Sequence, residues 1–448
     1  MRYTELPLIS PIQDAISKVG YTEPTPIQEV AIPIVLSGQD LLGCAQTGTG
    51  KTASFTLPIL QMLEKSNHRD GIKALIVTPT RELAIQIDDC ITQYAVFMKN
   101  IKHTVVFGGV NANPQINDLK QGVQILVATP GRLLDLQSQG YVNLKKLEFF
   151  VLDEADRMLD MGFIHDIKRL LKLIPVRRQT LFFSATMPTS IATLSKKILT
   201  NPKRVDITPV SSTAEQVTQE LCFVSKSNKP DLLLHLLKDP SLESVLIFTR
   251  TKHGADRVVK FLTKEKITSA AIHGNKSQNA RQRALSGFKE HNIRVLIATD
   301  IAARGIDVDK LSHVINYELP NVPETYIHRI GRTGRAGREG IAISFCEAEE
   351  VPYLNDIEKL IKTRIPRVTD HPYAEEFSAA DVKEAAAKKP SIRANARRSD
   401  TGRNGRSGSS RPNPNRSSSS RSNSGSSSSR KNDFYSKSSS RNSKPSRY

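Results

Sequence analysis

The feature that most limits what this chain can fold into is a rhythm of apolar runs four or five residues long, each closed by a polar, Gly or Pro turn and followed by a helical stretch. Lys73–Val77, Thr104–Phe107, Gln124–Ala128, Phe149–Leu152 and Thr180–Phe183 form a first set of strand candidates. The rhythm breaks after Asn201, through Pro202, Pro209 and Ser211-Ser212-Thr213. It restarts with Val245–Phe248, Ala270–Ile272, Val295–Ala298, Val314–Tyr317 and Ile341–Phe345. Strands alternating with helices predict parallel sheets, so the fold class is α/β with two tandem parallel-sheet domains. The expected partition is a first domain over 1–207, a linker over 208–218, a second domain over 219–367, a connector over 368–390 and a tail over 391–448. Within the connector, DVKEAAAKK predicts a short helix, although one this short is marginal by itself.

Two stretches carry chemistry. Asp40–Cys44 reads as a strand, and AQTGTGKT (Ala45–Thr52) then opens a helix. Glycines at 48 and 50 let backbone N–H groups turn inward around phosphate oxygens at a helix N-terminus, where anions are favoured. Lys51 would reach the β- and γ-phosphates, and the Thr52 hydroxyl would ligate Mg²⁺. Ala45 stands where such loops start with glycine. The other stretch is FFVLDEAD (Phe149–Asp156), a buried strand ending in three carboxylates. In an open α/β sheet, ligands sit off the carboxyl ends of strands. Buried acids need a counter-charge, and Mg·ATP supplies one. Asp153 would then hold the metal, and Glu154 would position and deprotonate the attacking water. The competing reading makes these acids N-terminal caps of the next helix.

The formal net charge of +19 is unevenly spread, because 14 of the 64 Lys and Arg but only 2 of the 45 acids lie past position 390. That segment also holds 21 Ser and no sustained apolar pattern. It is expected to be a disordered basic arm, either for a polyanionic partner or merely solubilising. Nucleic acid suits such an arm better than membrane, since no window approaches 18 uninterrupted apolar residues. A cytoplasmic location is expected, as the N-terminus lacks the pattern of a signal peptide. Cys44, Cys90, Cys222 and Cys346 are scattered, without metal-ligand spacing, and read as reduced packing residues.

With these residues goes an ordered series: GYTEPTPIQ (Gly20–Gln28), AQTGTGKT, PTREL (Pro79–Leu83), Gly108-Gly109, TPGR (Thr129–Arg132), DEAD (Asp153–Asp156), SAT (Ser184–Thr186), LIFTRT (Leu246–Thr251), ATDIAARGID (Ala298–Asp307) and HRIGRTGR (His328–Arg335). The chain up to about Arg367 resembles the DEAD-box RNA helicases of superfamily 2. IHGNKSQNARQRAL (Ile272–Leu285) resembles the bacterial RhlE type.

The resemblance implies two RecA-like domains that bind ATP, Mg²⁺ and RNA across their cleft. Gln28 would read adenine, which makes ATP preferred over GTP. Tyr3 stands where the family has a Phe stacked on the base, and Tyr21 joins the nucleotide set with Ala45, Gln46, Thr47, Gly48, Thr49, Gly50, Lys51 and Thr52. Arg332 and Arg335 match arginine fingers, and Asp307 would contact ribose. Asp156, Ser184, Thr186 and His328 would couple nucleotide state to RNA. RNA contacts are expected opposite the nucleotide side, from Pro79, Thr80, Arg81, Gly109, Thr129, Gly131, Arg132, Arg250, Gly274, Thr299 and Asp300. They suit phosphate and 2′-OH rather than bases.

The implied activity is RNA-stimulated ATP hydrolysis with local unwinding of short duplexes or remodelling of ribonucleoproteins. A DNA-translocating helicase and a non-hydrolysing RNA clamp are the rivals. Structured or ribosomal RNA and ribonucleoprotein or degradosome proteins are the expected partners, with no membrane. Ribosome assembly, RNA decay and cold growth are all compatible with that.

Overall fold

A computed structural model describes residues 2–45, 48–65, 70–207, 217–303, 311–334 and 340–387. Thirteen strands are described: β1 Leu41–Cys44, β2 Ala74–Val77, β3 His103–Val106, β4 Ile125–Ala128, β5 Phe149–Leu152, β6 Gln179–Ser184, β7 Lys203–Asp206, β8 Val217–Phe223, β9 Val245–Thr249, β10 Ser269–Ile272, β11 Val295–Thr299, β12 His313–Asn316 and β13 Gly340–Cys346. They pair as a seven-stranded sheet in the order β3-β4-β2-β5-β6-β1-β7 and a six-stranded sheet in the order β10-β11-β9-β12-β13-β8. All of these pairings are parallel. Both sheets lie within one unit spanning Met1–Lys389.

Strand β5 shows why the runs are continuously apolar. Phe149 and Val151 point into one core cluster, while Phe150 and Leu152 point into another on the opposite face. Successive side chains alternate faces, and in a parallel sheet helices cover both. Each such fully buried side chain contributes about 1.5–3 kcal/mol.

Two strands escaped the sequence pattern. β7 is an edge strand with only Val205 buried, and its exposed Lys203 and Arg204 discourage pairing with another chain. β8 mixes polar and apolar residues and begins at Val217, so the last two positions of the expected linker are strand. Its free edge is covered by the expected connector. Leu221 N–H donates to Pro366 O, Val368 N–H to Leu221 O and Glu375 N–H to Phe223 O, at 2.9, 2.9 and 3.1 Å. Phe377 packs edge-on against Phe223, with ring centroids 5.6 Å apart. Residues 368–377 are therefore a strap on the second sheet, and the short helix expected after them spans Ala379–Ala387.

No helix among the described residues is long and apolar enough to cross a membrane. The basic tail past position 390 and linker positions 208–216 lie outside the described residues.

Candidate functional site

The register of the first sheet sets the site. Cys44 at the end of β1 lies beside Ser184 of β6, Leu152 of β5 lies beside Phe182 of β6, and Val77 of β2 lies beside Leu152. The carboxyl ends of β1, β6 and β5 therefore present the Gly-rich loop, Ser184–Thr186 and Asp153–Asp156 side by side. The ends of β2, β4 and β3 continue the row with Pro79–Leu83, Thr129–Arg132 and Gly108-Gly109. The two groups of motifs thus occupy two halves of one edge, whereas the expectation placed the RNA contacts opposite the nucleotide side. The same carboxyl edge carries both groups of motifs because every strand of this sheet is parallel and each motif follows its strand.

In the first half, Gly50 has φ +88° at the start of the helix Lys51–Lys65. A Cβ there would lie 2.4 Å from Gln28 Nε2 and 2.8 Å from Thr25 Oγ1, so only glycine fits. Gln28 Nε2 donates to Gly50 O at 3.0 Å, and Gln28 Oε1 accepts from Thr25 N–H at 2.9 Å. Lys51 is buried, with Nζ donating to Ala45 O at 3.0 Å. The Thr25 hydroxyl is buried without a hydrogen-bond partner in this cradle.

Tyr3 is 5% exposed, and its hydroxyl donates to Gln28 Oε1. Burial, with a smaller push from Tyr21, raises its pKa to about 12. Its ring stacks on Tyr21, centroids 6.3 Å apart, and Tyr21 is 43% exposed. The exposed aromatic face here is therefore that of Tyr21, and Tyr3 lies beneath it because its ring is taken up by the core.

The acids behave differently from one another. Asp153 is 2% exposed, and its Oδ1 has no hydrogen-bond partner. Burial raises its pKa to about 6, with Lys51 pulling it down and Glu154 pushing it up. A buried, unpartnered carboxylate oxygen near the Thr52 hydroxyl's helix is a hard-oxygen environment that fits Mg²⁺. Glu154 is also buried and has the left-handed φ of 55°. Burial works against its charge, but Arg157, Lys51 and Arg332 outweigh it and hold its pKa below the ordinary carboxylate range. Arg157 Nη1 donates to Glu154 Oε2 at 2.6 Å. Arg332, which comes from the second-sheet half of the chain, is 5% exposed. Asp156 Oδ2 accepts from both the N–H and the hydroxyl of Thr186 at 2.8 Å, and Ser184 Oγ accepts from Asp156 N–H at 3.2 Å. These contacts do not leave all three acids as plain helix caps: the helix after them, Ala155–Asp160, has no side-chain cap bond from Glu154.

In the second half, a cavity of about 310 Å³ is lined by residues of both sheet halves, among them Thr80, Arg81, Thr129, Arg132, Gly274 and Arg281. Pro79 and Gly131 also line it, with Gly108 representing the Gly-Gly turn. Gly109 has φ +80°, and a Cβ on it would collide with the Arg81 guanidinium. Arg132 holds the turn by donating to Val110 O at 3.0 Å and to Gln115 Oε1 at 3.1 Å. Burial, then Arg281, and to a smaller degree Arg132, press the pKa of Arg81 down, with Glu82 opposing. Crowded guanidiniums of this kind favour an anion between them.

The halves are stitched together here. Gln278 Nε2 donates to Glu82 Oε1 at 3.0 Å, Arg281 Nη2 lies 3.1 Å from the same oxygen, and Arg81 Nη1 donates to Gln278 Oε1 at 3.4 Å.

Four expected RNA residues, Gly109, Arg250, Thr299 and Asp300, are not among those lining this cavity. The Arg250 guanidinium is committed to Glu350 at 3.0 Å and Glu347 at 3.7 Å, with its ring neighbour Tyr353 at 5.9 Å. Asp300 binds Arg329 through both carboxylate oxygens, at 2.6 and 2.9 Å. Thr299 ends β11 beside it. Gln46, Thr47, Asp307 and Arg335 lie outside the described residues, and His328 is exposed on the helix Pro323–Ile330. Sequence reasoning missed Thr25, Glu82, Arg157, Gln278, Arg281 and Arg329. Thr25, Glu82, Gln278, Arg281 and Arg329 lie inside quoted motifs, so their signal was present but unassigned.

Comparison with known proteins agrees with this arrangement. The DEAD/DEAH box helicase family matches residues 25–194, and the helicase conserved C-terminal domain matches residues 228–337. The chain is 41% identical over 377 residues to the ATP-dependent RNA helicase CshA of Listeria monocytogenes, covering 84% of this chain and 72% of that one. It is 42% identical over 363 residues to the DEAD-box ATP-dependent RNA helicase RhpA of Helicobacter pylori, covering 81% and 73%. Among solved structures, S. cerevisiae Dbp5 bound to RNA and ADP BeF3 aligns with a TM-score of 0.72 at 31% identity, covering 82% of this chain and 95% of that one.

Proposed function

The chain belongs to the DEAD-box family of ATP-dependent RNA helicases, and from that premise we propose how its own residues divide the work. Tyr21 offers a face to the adenine, Gln28 reads its edge, and the N–H groups of the loop around Gly48 and Gly50 receive the phosphates. Lys51 leaves Ala45 O for the β- and γ-phosphate oxygens. Thr52 and Asp153 would hold Mg²⁺, which when bound neutralises charge on the phosphate oxygens.

Glu154 is the base. Kept ionised by Arg157, Lys51 and Arg332, it accepts a proton from water as the water oxygen attacks the γ-phosphorus. The bond from that phosphorus to the bridging oxygen breaks, and ADP departs with the electron pair. Arg332, with Arg335, stabilises charge on the phosphoryl group in transit. Thr186 and Ser184 report on the acids through Asp156. Arg81, Arg132 and Arg281 take the RNA backbone in the shared cavity, where Gln278 and Glu82 close the two halves together.

The observation that carries this reading is the bonding of Gln278 and Arg281, from the second half of the chain, to Glu82 on the helix after β2, since it closes the two halves on one seam; Arg332, from that same half, also lowers the pKa of Glu154. Shared occupancy of one seam makes hydrolysis depend on closure, and closure depend on RNA. Local separation of short duplexes, without long-range translocation, follows from that cycle. The stretch Ile272–Leu285 supports the RhlE type within the family.

Strand release from a short labelled RNA duplex is the test. The reading expects release with ATP and little without it, and expects a DNA duplex of the same sequence to stay intact. Equal release of the DNA duplex favours the DNA-helicase alternative.

A further inference from the structure

The hydrogen-bonding capacity of Gln28 is almost fully used inside the protein. Its Oε1 accepts from Thr25 N–H and from the Tyr3 hydroxyl, and its Nε2 donates to Gly50 O. A side-chain amide offers two lone pairs on oxygen and two hydrogens on nitrogen. The oxygen is therefore saturated, and one N–H is left. Adenine presents an acceptor, N7, beside a donor, the 6-amino group. The remaining N–H can meet N7, but the 6-amino group finds an acceptor only if one of the two donors on Oε1 withdraws.

The donors are not equally able to do so. Thr25 N–H belongs to the backbone at the start of the helix Pro26–Leu36, and its bond to Gln28 closes that helix end. The Tyr3 hydroxyl is a terminal rotor on a side chain in a three-residue turn near the start of the chain.

We propose that the Tyr3 hydroxyl and the adenine 6-amino group compete for Gln28 Oε1, so that this phenol sets the affinity and base selectivity of the nucleotide site. The proposal rests on the reading that Gln28 faces the base. Tyr3→Phe removes one oxygen and keeps the ring that packs in the core. Gln28 Oε1 still accepts from Thr25 N–H in that variant, so no buried group is orphaned.

The experiment measures equilibrium binding of ATP, GTP and purine riboside triphosphate, which lacks the 6-amino group, to the full chain and to its Tyr3→Phe variant. Removing a competitor worth one net hydrogen bond should tighten ATP binding about threefold to tenfold, with purine riboside triphosphate and GTP unchanged. Unchanged or weaker ATP binding overturns the proposal, because the hydroxyl would then be inert or a support for the amide. Equal tightening for ATP and purine riboside triphosphate also overturns it, since the effect would not pass through the 6-amino group. Gln28→Ala separates the two layers. If it erases the preference for ATP over purine riboside triphosphate while Tyr3→Phe does nothing, competition alone fails. If it leaves the preference intact, the amide does not read the base and the underlying assignment fails.

Discussion

The cradle proposed for the nucleotide and the cavity proposed for RNA lie along one sheet edge, yet they are built by opposite means. The cradle is assembled almost entirely from the first sheet, with buried groups pinned to close neighbours and one oxygen of Asp153 left unpartnered. The cavity is shared, and Glu82, an acid lining it on the first-sheet side, is engaged by Gln278 and Arg281 from the other half. Pinned groups preorganise charge for a small polyanion. Shared groups make a surface whose shape depends on how the halves meet, which is what a switch needs.

The largest expected effect probes Arg332, through which the second half acts on Glu154. Arg332→Ala should lower RNA-stimulated turnover about 10³- to 10⁵-fold while ATP binding, followed by fluorescence of a labelled nucleotide, persists. Turnover near that of the parent would detach Arg332 from the phosphoryl group and leave the cradle self-sufficient. Glu154→Gln comes next, with a loss of about 10²- to 10⁴-fold in phosphate release and retained binding of both ATP and RNA. Normal release would remove Glu154 as the base.

A pair of glycine substitutions sharpens the contrast itself. Gly50→Ala places a Cβ against Gln28 and Thr25, which are fixed, at a φ of +88°. Gly109→Ala places one against the end of Arg81, a flexible side chain, at a φ of +80°. Strain of about 1–2 kcal/mol applies to both, but only the cradle has no room to yield. ATP affinity should therefore fall about tenfold or more for Gly50→Ala, whereas Gly109→Ala should weaken RNA binding less than that. The reverse order would mean the cavity is the more rigid half. The smallest effect is expected for Gln278→Ala, which removes one bond between the halves. The RNA concentration giving half-maximal stimulation should rise about twofold to tenfold, and an unchanged value would make that contact incidental.

The same contrast explains what the sequence could reveal. Contiguous motifs give the cradle away, because Gly48, Gly50, Lys51 and Thr52 are neighbours in the chain and Asp153 and Glu154 follow a run with two buried faces. Alternation failed where burial is one-sided or absent. β7 exposes Lys203 and Arg204, and β8 hides one edge under a strap more than a hundred positions away. Arg157 looks like any cation on a helix surface until the left-handed turn at Glu154 brings their side chains together. Arg250 and Asp300, expected at the RNA by motif, also pair with residues distant in sequence, Glu350 and Arg329, which no local pattern announces. Tyr3 was expected against the base, and a core contact that no local pattern announces buries its ring while Tyr21, stacked on it, stays exposed.

Phosphate release measured at saturating ATP while single-stranded RNA is titrated tests most directly whether the two halves act as one site. Turnover should climb to a plateau with RNA and stay near baseline with DNA of the same sequence. A flat response to RNA would mean the cradle works alone, and the joint site described above would not exist.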